Sequence, residues 1–254
     1  MRRQYRTALL VFLSSFRLSL PAAPAALSDD RIEDAVESAL ASSESASALS
    51  GLRIRCDEGI LTLGGSVETL YSLDQAVRQA GTVAGVVDVV VTAVVPRLRV
   101  PDSEILAAVQ QSLQTPSFSF ANIQATVGGG RVALSGSSGS YSQKHLAETE
   151  ISKIAGVVEI QNRILVTSET NVSEQGLSRL VLSRLSGGAA ASAGRLQVSI
   201  RGSLATLVGR VPLYLNRLEA SETTLGVPGI QEVDNRLVVD PSLASPTPSV
   251  TPSP

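Results

Sequence analysis

The chain has 254 residues, 43% hydrophobic and 17% charged, which is enough for one large domain or for two or three small ones. Its formal charge is −2, and it falls to about −6 without the first 26 residues, which hold four arginines and no acid. This acidic balance argues against a general nucleic-acid binder, which would show a basic stripe. The single cysteine, Cys56, excludes an intramolecular disulfide.

Residues 1–26 are predicted to be an export signal. Arginines precede an apolar run over residues 8–16, and small residues follow it, with Ala23-Pro24-Ala25 as an A-x-A-like cleavage site. The apolar run is far shorter than the ~20 residues that span a bilayer. The sequence therefore predicts an exported product whose first residue lies near Ala26 or Leu27. A disordered start or a short membrane anchor is the alternative.

Glycine spacing indicates that one small domain occurs three times. A first glycine is followed 20 residues later by a second one in three places: Gly65 and Gly85, Gly136 and Gly156, and Gly209 and Gly229. A glycine kept at fixed spacing suggests a backbone position that resists a Cβ atom. The sequence predicts three units, at residues 29–96, 101–167 and 173–240.

Each unit opens with a helix and a β-hairpin. Apolar residues that step by four predict one buried helix face: Ile32-Val36-Leu40, Ile105-Val109-Leu113 and Leu177-Val181-Leu185. An alternating strand follows: Leu52-Ile54-Cys56, Ile123-Ala125-Val127 and Leu196-Val198-Ile200. Turn residues then separate it from a second strand, at 57–59, 128–130 and 201–203.

A second helix and a last strand complete each unit. Eleven residues after each first glycine stands an alanine, which suits close packing of a helix on a sheet: Ala76, Ala147 and Ala220. The predicted fold class is α+β: three tandem αββαβ units, each with two helices on one face of a three-stranded mixed sheet. The opposite face is left uncovered. Arg53 and Arg55 suit water there, although neighbouring units could also pack against it.

The stretch GRVALSGSSGSYSQKHLAETEISKIAGVVEIQNRILV, residues 130–166, resembles the BON domain, the module named for osmotically inducible and nodulation proteins of bacteria. All three units match through their glycines, and the last two also through Asn162 and Asn235. The first unit departs with Val91 at that position, and the second has Ser138 where the others have valine. The resemblance implies exported or envelope-associated proteins without catalysis, thought to hold to phospholipid or other envelope surfaces.

Most candidate site residues have a structural interpretation. Asn162 and Asn235 share parity with the apolar residues of the last strand, so they are expected to point inward and need hydrogen-bond partners. Cys56 takes the place of Val127 and Ile200, so it is predicted to be a small buried residue rather than a nucleophile. His145, the only histidine, is predicted to be a solvated helix residue and not a metal ligand.

No catalytic motif occurs. The glycines around residues 128–139 lack Gly-Lys-Ser/Thr and lead into a strand, so they favour a hairpin over a phosphate loop. Gly-x-Ser-x-Gly and Cys-x-x-Cys are absent as well. The sequence predicts a protein that is not an enzyme and needs no cofactor.

The units differ in net charge, and therefore in how well each could bind an anionic membrane. Residues 27–96 carry 4 basic and 11 acidic side chains, whereas residues 169–240 carry 7 of each. Anionic membranes repel acids, so the third unit is the better candidate. Its first helix places Arg179 and Leu182 on the flank away from the predicted core stripe, where they are candidates for lipid binding. Packing of this helix edge against a neighbouring unit is the equal alternative.

Residues 241–254 hold five prolines among serines and threonines, which predicts an extended tail. The leading functional prediction is an exported envelope protein, in the periplasm or cell envelope, that binds phospholipid surfaces and supports envelope integrity or osmotic tolerance. The alternative is a scaffold that holds partner proteins of the envelope. Neither interpretation involves nucleic acid.

Overall fold

The computed structural model describes residues 27–43, 46–96, 100–114, 122–167, 172–187 and 196–244. The predicted export signal and most of the proline-rich tail lie outside these residues. Within them the same order of five elements occurs three times, which confirms the predicted fold class.

The elements of the three units have these bounds. The first unit contains α1 (Asp29–Ala41), β1 (Leu52–Asp57), β2 (Ile60–Gly65), α2 (Leu70–Ala80) and β3 (Asp88–Val91). The second contains α3 (Asp102–Leu113), β4 (Ile123–Gly128), β5 (Arg131–Ser138), α4 (Tyr141–Ser152) and β6 (Glu159–Val166). The third contains α5 (Glu174–Ser186), β7 (Gln197–Arg201), β8 (Leu204–Val211), α6 (Tyr214–Leu225) and β9 (Glu232–Val239). Short 3₁₀ turns lie at Ala46–Leu49 and Pro241–Leu243.

Each unit has a three-stranded mixed sheet with its strands in sequence order. The first two strands form an antiparallel hairpin, and the third runs parallel to the second. A parallel neighbour requires a crossover connection, and the second helix of the unit provides it. Both helices therefore cover one face of the sheet, and its other face is open.

The repeated glycines have the backbone conformation that their spacing predicts. All six have positive φ, between +86° and +148°. Side chains rarely adopt this region because Cβ clashes with the backbone. The buried helix stripes and the three alanines also lie where predicted, except that Leu113 is only half-buried.

An acid at the start of each first helix binds the hairpin turn of the same unit. Asp29 accepts hydrogen bonds from the N–H groups of Glu58 and Gly59, both at 3.0 Å. In the second unit Asp102 accepts from the two turn glycines at 2.7 and 2.9 Å, and in the third Glu174 accepts from the Gly202 N–H at 2.7 Å. These bonds fix the first helix against the hairpin.

The first unit packs against both others. Helix α2 lies against α4 and α6, so the second helices of the three units meet around it. Leu70 packs against the cores of the first and second units. The Lys153 ammonium lies 5.3 Å from the centre of the Tyr71 ring. The three units therefore form a cluster about α2.

Candidate binding surfaces

The side chain of Asn162 joins α4 to β6 inside the second unit. Its Nδ2 donates to the carbonyl of Lys144 and to the carboxylate of Glu148, both at 3.1 Å, and its Oδ1 accepts from the Ile164 N–H at 3.2 Å. The Lys144 ammonium in turn donates to the Ile164 carbonyl at 2.7 Å. Burial lowers the pKa of Lys144, and the nearby Glu148 carboxylate opposes that shift. Asn162 is thus buried and fully engaged, as predicted.

Asn235 joins α6 to β9 in the third unit, with different hydrogen-bond partners. Its Nδ2 donates to the Arg217 carbonyl and to the Ser221 hydroxyl, both at 2.7 Å. Its Oδ1 accepts from the Leu237 N–H at 3.0 Å. Both asparagines are therefore links between a helix and a strand, with no polar atom directed at a ligand.

The first unit replaces this whole polar set with apolar side chains. Leu73, Val77 and Val91 occupy the places of Lys144, Glu148 and Asn162, and all three belong to the core or pack against it. The β2–β3 ladder breaks after Val91 and resumes in the same register only where Ser66 meets Val94. The asparagine therefore supports a longer last strand in the other two units.

Cys56 lies in the core of the first unit, with 8% of its surface exposed. Its thiol donates to Asp29 Oδ1 at 3.4 Å. Burial, together with the hydrogen bond to Asp29 and the charge of that carboxylate, raises the pKa of Cys56 to about 11. A thiol in this state is a poor nucleophile, because the thiolate is the reactive form. The predicted structural role of Cys56 is confirmed.

Thiol labelling is expected to report this protection. At pH 8 a pKa of about 11 leaves roughly one thiolate in a thousand, so an aromatic disulfide reagent should label the native protein about 100-fold more slowly than the urea-unfolded chain. The chain has no other cysteine, so all label reports on Cys56. Equal rates in the two states would contradict the buried position.

His145 is half-buried rather than fully solvated, and its ring stacks on Tyr141 with 6.0 Å between centroids. Among the described residues, no three His, Cys, Asp or Glu side chains form a group that could hold a metal ion. In the same part of the chain, no helix is long and apolar enough to cross a membrane. The glycine-rich segment at 128–130 forms the β4–β5 turn.

The candidate residues on α5 lie on its outer side. Leu177, Val181 and Leu185 face the core, and Arg179 is exposed. Leu182 is half-buried, because it lies on the helix flank with Ser178, whose hydroxyl donates to the Val198 carbonyl at 2.9 Å. Leu180, which periodicity did not single out, is 37% exposed. Arg179 and Leu182 therefore lie on one side of the helix, whereas Leu180 lies on its opposite flank.

This combination is specific to the third unit. The places of Arg179 and Leu182 are taken by Ala107 and Gln110 on α3, and by acids, Asp34 and Glu37, on α1. All four of these side chains are exposed. The outer side of the first helix is thus acidic in the first unit, neutral in the second, and basic and apolar in the third.

A second surface was not predicted from the sequence. Nine residues after the second glycine, each unit has an aliphatic side chain toward the open face of the sheet: Val94 in the isolated bridge beyond β3, Leu165 in β6 and Val238 in β9. Their exposed fractions are 60%, 69% and 59%. The signal was present, because these residues are out of phase with the core residues of the same strand.

Comparison with known families explains the threefold pattern. A sequence model described as the BON domain matches residues 28–97, 101–168 and 173–241, which together make up most of the chain. The chain belongs to the BON domain family. BON domains are in general non-enzymatic and associated with the cell envelope. No curated protein matches the sequence significantly.

Two solved structures show similarity to this chain. Both come from CdsD, a structural protein of the type III secretion system of Chlamydia trachomatis, and one is its C-terminal domain. They share 15% and 16% identity with this chain, and the alignments cover 82% of it and 91% and 96% of their own lengths. The TM-score is 0.23 for both.

Proposed function

We propose that the protein is an exported, non-enzymatic BON protein that binds phospholipid surfaces of the cell envelope and supports envelope integrity or osmotic tolerance. The observation that carries the proposal is the threefold BON match together with the basic and apolar outer side of α5. Envelope association is common to the family, and α5 supplies a surface with suitable chemistry.

The chemistry of α5 suits an anionic interface. The Arg179 guanidinium can reach lipid headgroups while its methylene stem lies along apolar surface. Each basic residue near an anionic leaflet contributes about 1 kcal/mol. Leu182, on the same side of the helix, adds apolar area that can enter the boundary between headgroups and acyl chains. With one arginine and one half-buried leucine, binding by a single copy should be weak and weakened further by salt.

Reversing the chemistry of this surface is expected to remove vesicle binding. Arg179→Glu combined with Leu182→Asp replaces attraction by repulsion, a change of about 2 kcal/mol or roughly 30-fold in affinity from the arginine alone. Co-sedimentation with vesicles of phosphatidylglycerol and phosphatidylcholine, at low and high salt, measures the effect. Circular dichroism checks that the half-buried Leu182 position tolerates the change.

The equivalent positions on α3 provide the matched control. Ala107→Glu with Gln110→Asp adds two acids at the same places of the second unit, where neither residue has a basic or apolar role. This variant should bind vesicles with an affinity close to that of the parent. If the α5 variant also sediments like the parent, α5 is not the lipid-binding surface.

The alternative function is a scaffold for envelope proteins, and the open sheet faces favour it. Val94, Leu165 and Val238 are exposed at the same position of all three units, which is more than scattered surface residues would give. A scaffold should not bind pure lipid vesicles. It should lose partner binding when these three residues are changed to serine. Vesicle binding that survives the triple serine change, and is lost in the α5 variant, favours the lipid proposal.

A further inference from the structure

The second helix of the third unit lacks a cap of its own. Thr69 caps α2 by accepting from the Ser72 N–H, and Ser140 caps α4 by accepting from the Gln143 N–H. The equivalent residue before α6 is Leu213, which has no side-chain acceptor. The Leu215 N–H in the first turn of α6 instead donates to the Gly81 carbonyl of the first unit, at 2.9 Å. A carbonyl from another unit thus serves this helix end.

Gly81 allows this close approach. A Cβ atom at this position would lie 3.0 Å from the Leu215 nitrogen and 3.2 Å from a ring carbon of Tyr214. The equivalent residues of the other units, Ser152 and Leu225, carry side chains. The first unit therefore has a place shaped for the start of α6.

Charge selects which units pair. Arg78 on α2 bonds Asp74 at 2.9 Å and also forms an ion pair with Glu222 on α6. Arg78 and Glu222 occupy the same position in their respective units, and Thr149 takes it in the second unit. Two copies of the first unit would bring two arginines together at this place, and two copies of the third would bring two glutamates. The contact therefore fits a first unit with a third unit.

Apolar packing and a second ion pair complete the interface. Tyr214 packs against the cores of both the first and the third unit, Leu218 packs against the core of the first, and Val87 packs against the core of the third. Arg217 lies 3.7 Å from Asp88. Here the name docking surface denotes Arg78, Gly81, Val87 and Asp88 of the first unit.

We propose that the docking surface also accepts the third unit of a second copy of this chain, so that two copies exchange third units and form a symmetric dimer. Every contact of the interface joins the first unit to the third, and the second unit separates them in sequence. The docking surface makes the same contacts with a third unit from its own chain as with one from another copy. Exchange of identical elements gives a closed dimer at low cost in free energy.

Concentration decides between the two forms. Within one chain the third unit has a high effective concentration at the docking surface, so the monomer prevails in dilute solution. Crowding of copies at an envelope surface favours exchange, although exchange does not require the proposed lipid binding.

Charge reversal in separate copies tests the exchange. Full-length Arg78→Glu places an acid beside Asp74 and Glu222, and full-length Glu222→Arg faces Arg78 with a second arginine, so in either variant the contact within its own chain is disfavoured. In an equal mixture, both contacts of an exchanged dimer pair opposite charges. Analytical ultracentrifugation is expected to show monomers for each variant alone and a doubled mass for the mixture.

A matched pair within one unit is the control. Arg131 and Glu159 lie 3.3 Å apart on neighbouring strands of the second unit, and a mixture of Arg131→Glu with Glu159→Arg should remain monomeric. If circular dichroism shows that either test variant does not fold, the parent chain is refolded at increasing concentration, which should yield dimers. A test mixture that stays monomeric, dimers formed by each variant alone, or a parent that refolds only to monomers would overturn the proposal.

Discussion

Replacing Gly136 by alanine is expected to destabilise the second unit strongly. The φ angle of Gly136 is +118°, and a Cβ atom there would lie 1.8 Å from the backbone oxygen of Asn122. Backbone strain of this kind costs about 1–3 kcal/mol, and a clash with a backbone atom cannot be relieved by rotating a side chain. A unit of this size has a total stability on the order of 3–10 kcal/mol.

Amide hydrogen exchange of the full chain locates the loss, because it reports each strand separately. Protection should fall sharply in β4, β5 and β6. Gly128→Ala is the control, since nothing lies within 4 Å of the added Cβ and the backbone has no positive φ there. That change should alter stability by no more than about 0.5 kcal/mol. Undiminished protection in the Gly136→Ala chain would show that the repeated glycine is not required.

The glycine prediction succeeded because a backbone requirement leaves a direct mark on the sequence. Only glycine tolerates positive φ with a carbonyl in contact, so the same residue must recur wherever the same turn recurs. The buried helix stripes succeeded for a similar reason, because burial demands apolar residues at every helical turn. Fold class and element order therefore followed from spacing alone.

The contacts between units produce no comparable pattern in the sequence. Arg78 and Glu222 are 144 positions apart, and each by itself looks like an ordinary charged residue on a helix. The acids that bind the hairpin turns were missed because an acid at a helix N-terminus is common for electrostatic reasons alone. Leu213 was the one available signal, since a leucine at a place held by Thr69 and Ser140 indicates that the cap comes from elsewhere.

The candidate lipid surface was predicted in position but not in exposure. Helical periodicity placed Arg179 and Leu182 off the core stripe, and the structure agrees. It could not show that Leu182 is half-buried while Leu180 is exposed, because that depends on how α5 is rotated against the sheet. Periodicity gives the buried side of a helix, but the packing partner decides what covers its flanks.

Changing Asn162 to valine is expected to destabilise the second unit by about 2–4 kcal/mol. The change removes the partner of the buried Ile164 N–H, and a buried polar group without a partner costs roughly 1–3 kcal/mol. It also takes the amide donor from the half-buried Glu148 carboxylate. Urea unfolding followed by circular dichroism measures the loss. The converse change, Val91→Asn, should cost the first unit a similar amount, because it places an amide beside Leu73 and Val77.

The first unit shows how the loss can be recovered. Lys144→Leu and Glu148→Val, added to Asn162→Val, copy the apolar residues of the first unit. They also remove two charged side chains, of which Glu148 loses its amide donor when Asn162 is changed. Replacing a polar set by apolar groups of fitting shape is often nearly neutral, so the triple variant should regain most of the stability lost by the single one. The β6 ladder should shorten to resemble β3, with faster amide exchange after position 162.

If the triple variant is less stable than Asn162→Val, the three positions contribute independently. Recovery would show that the three positions are energetically coupled and act as one set.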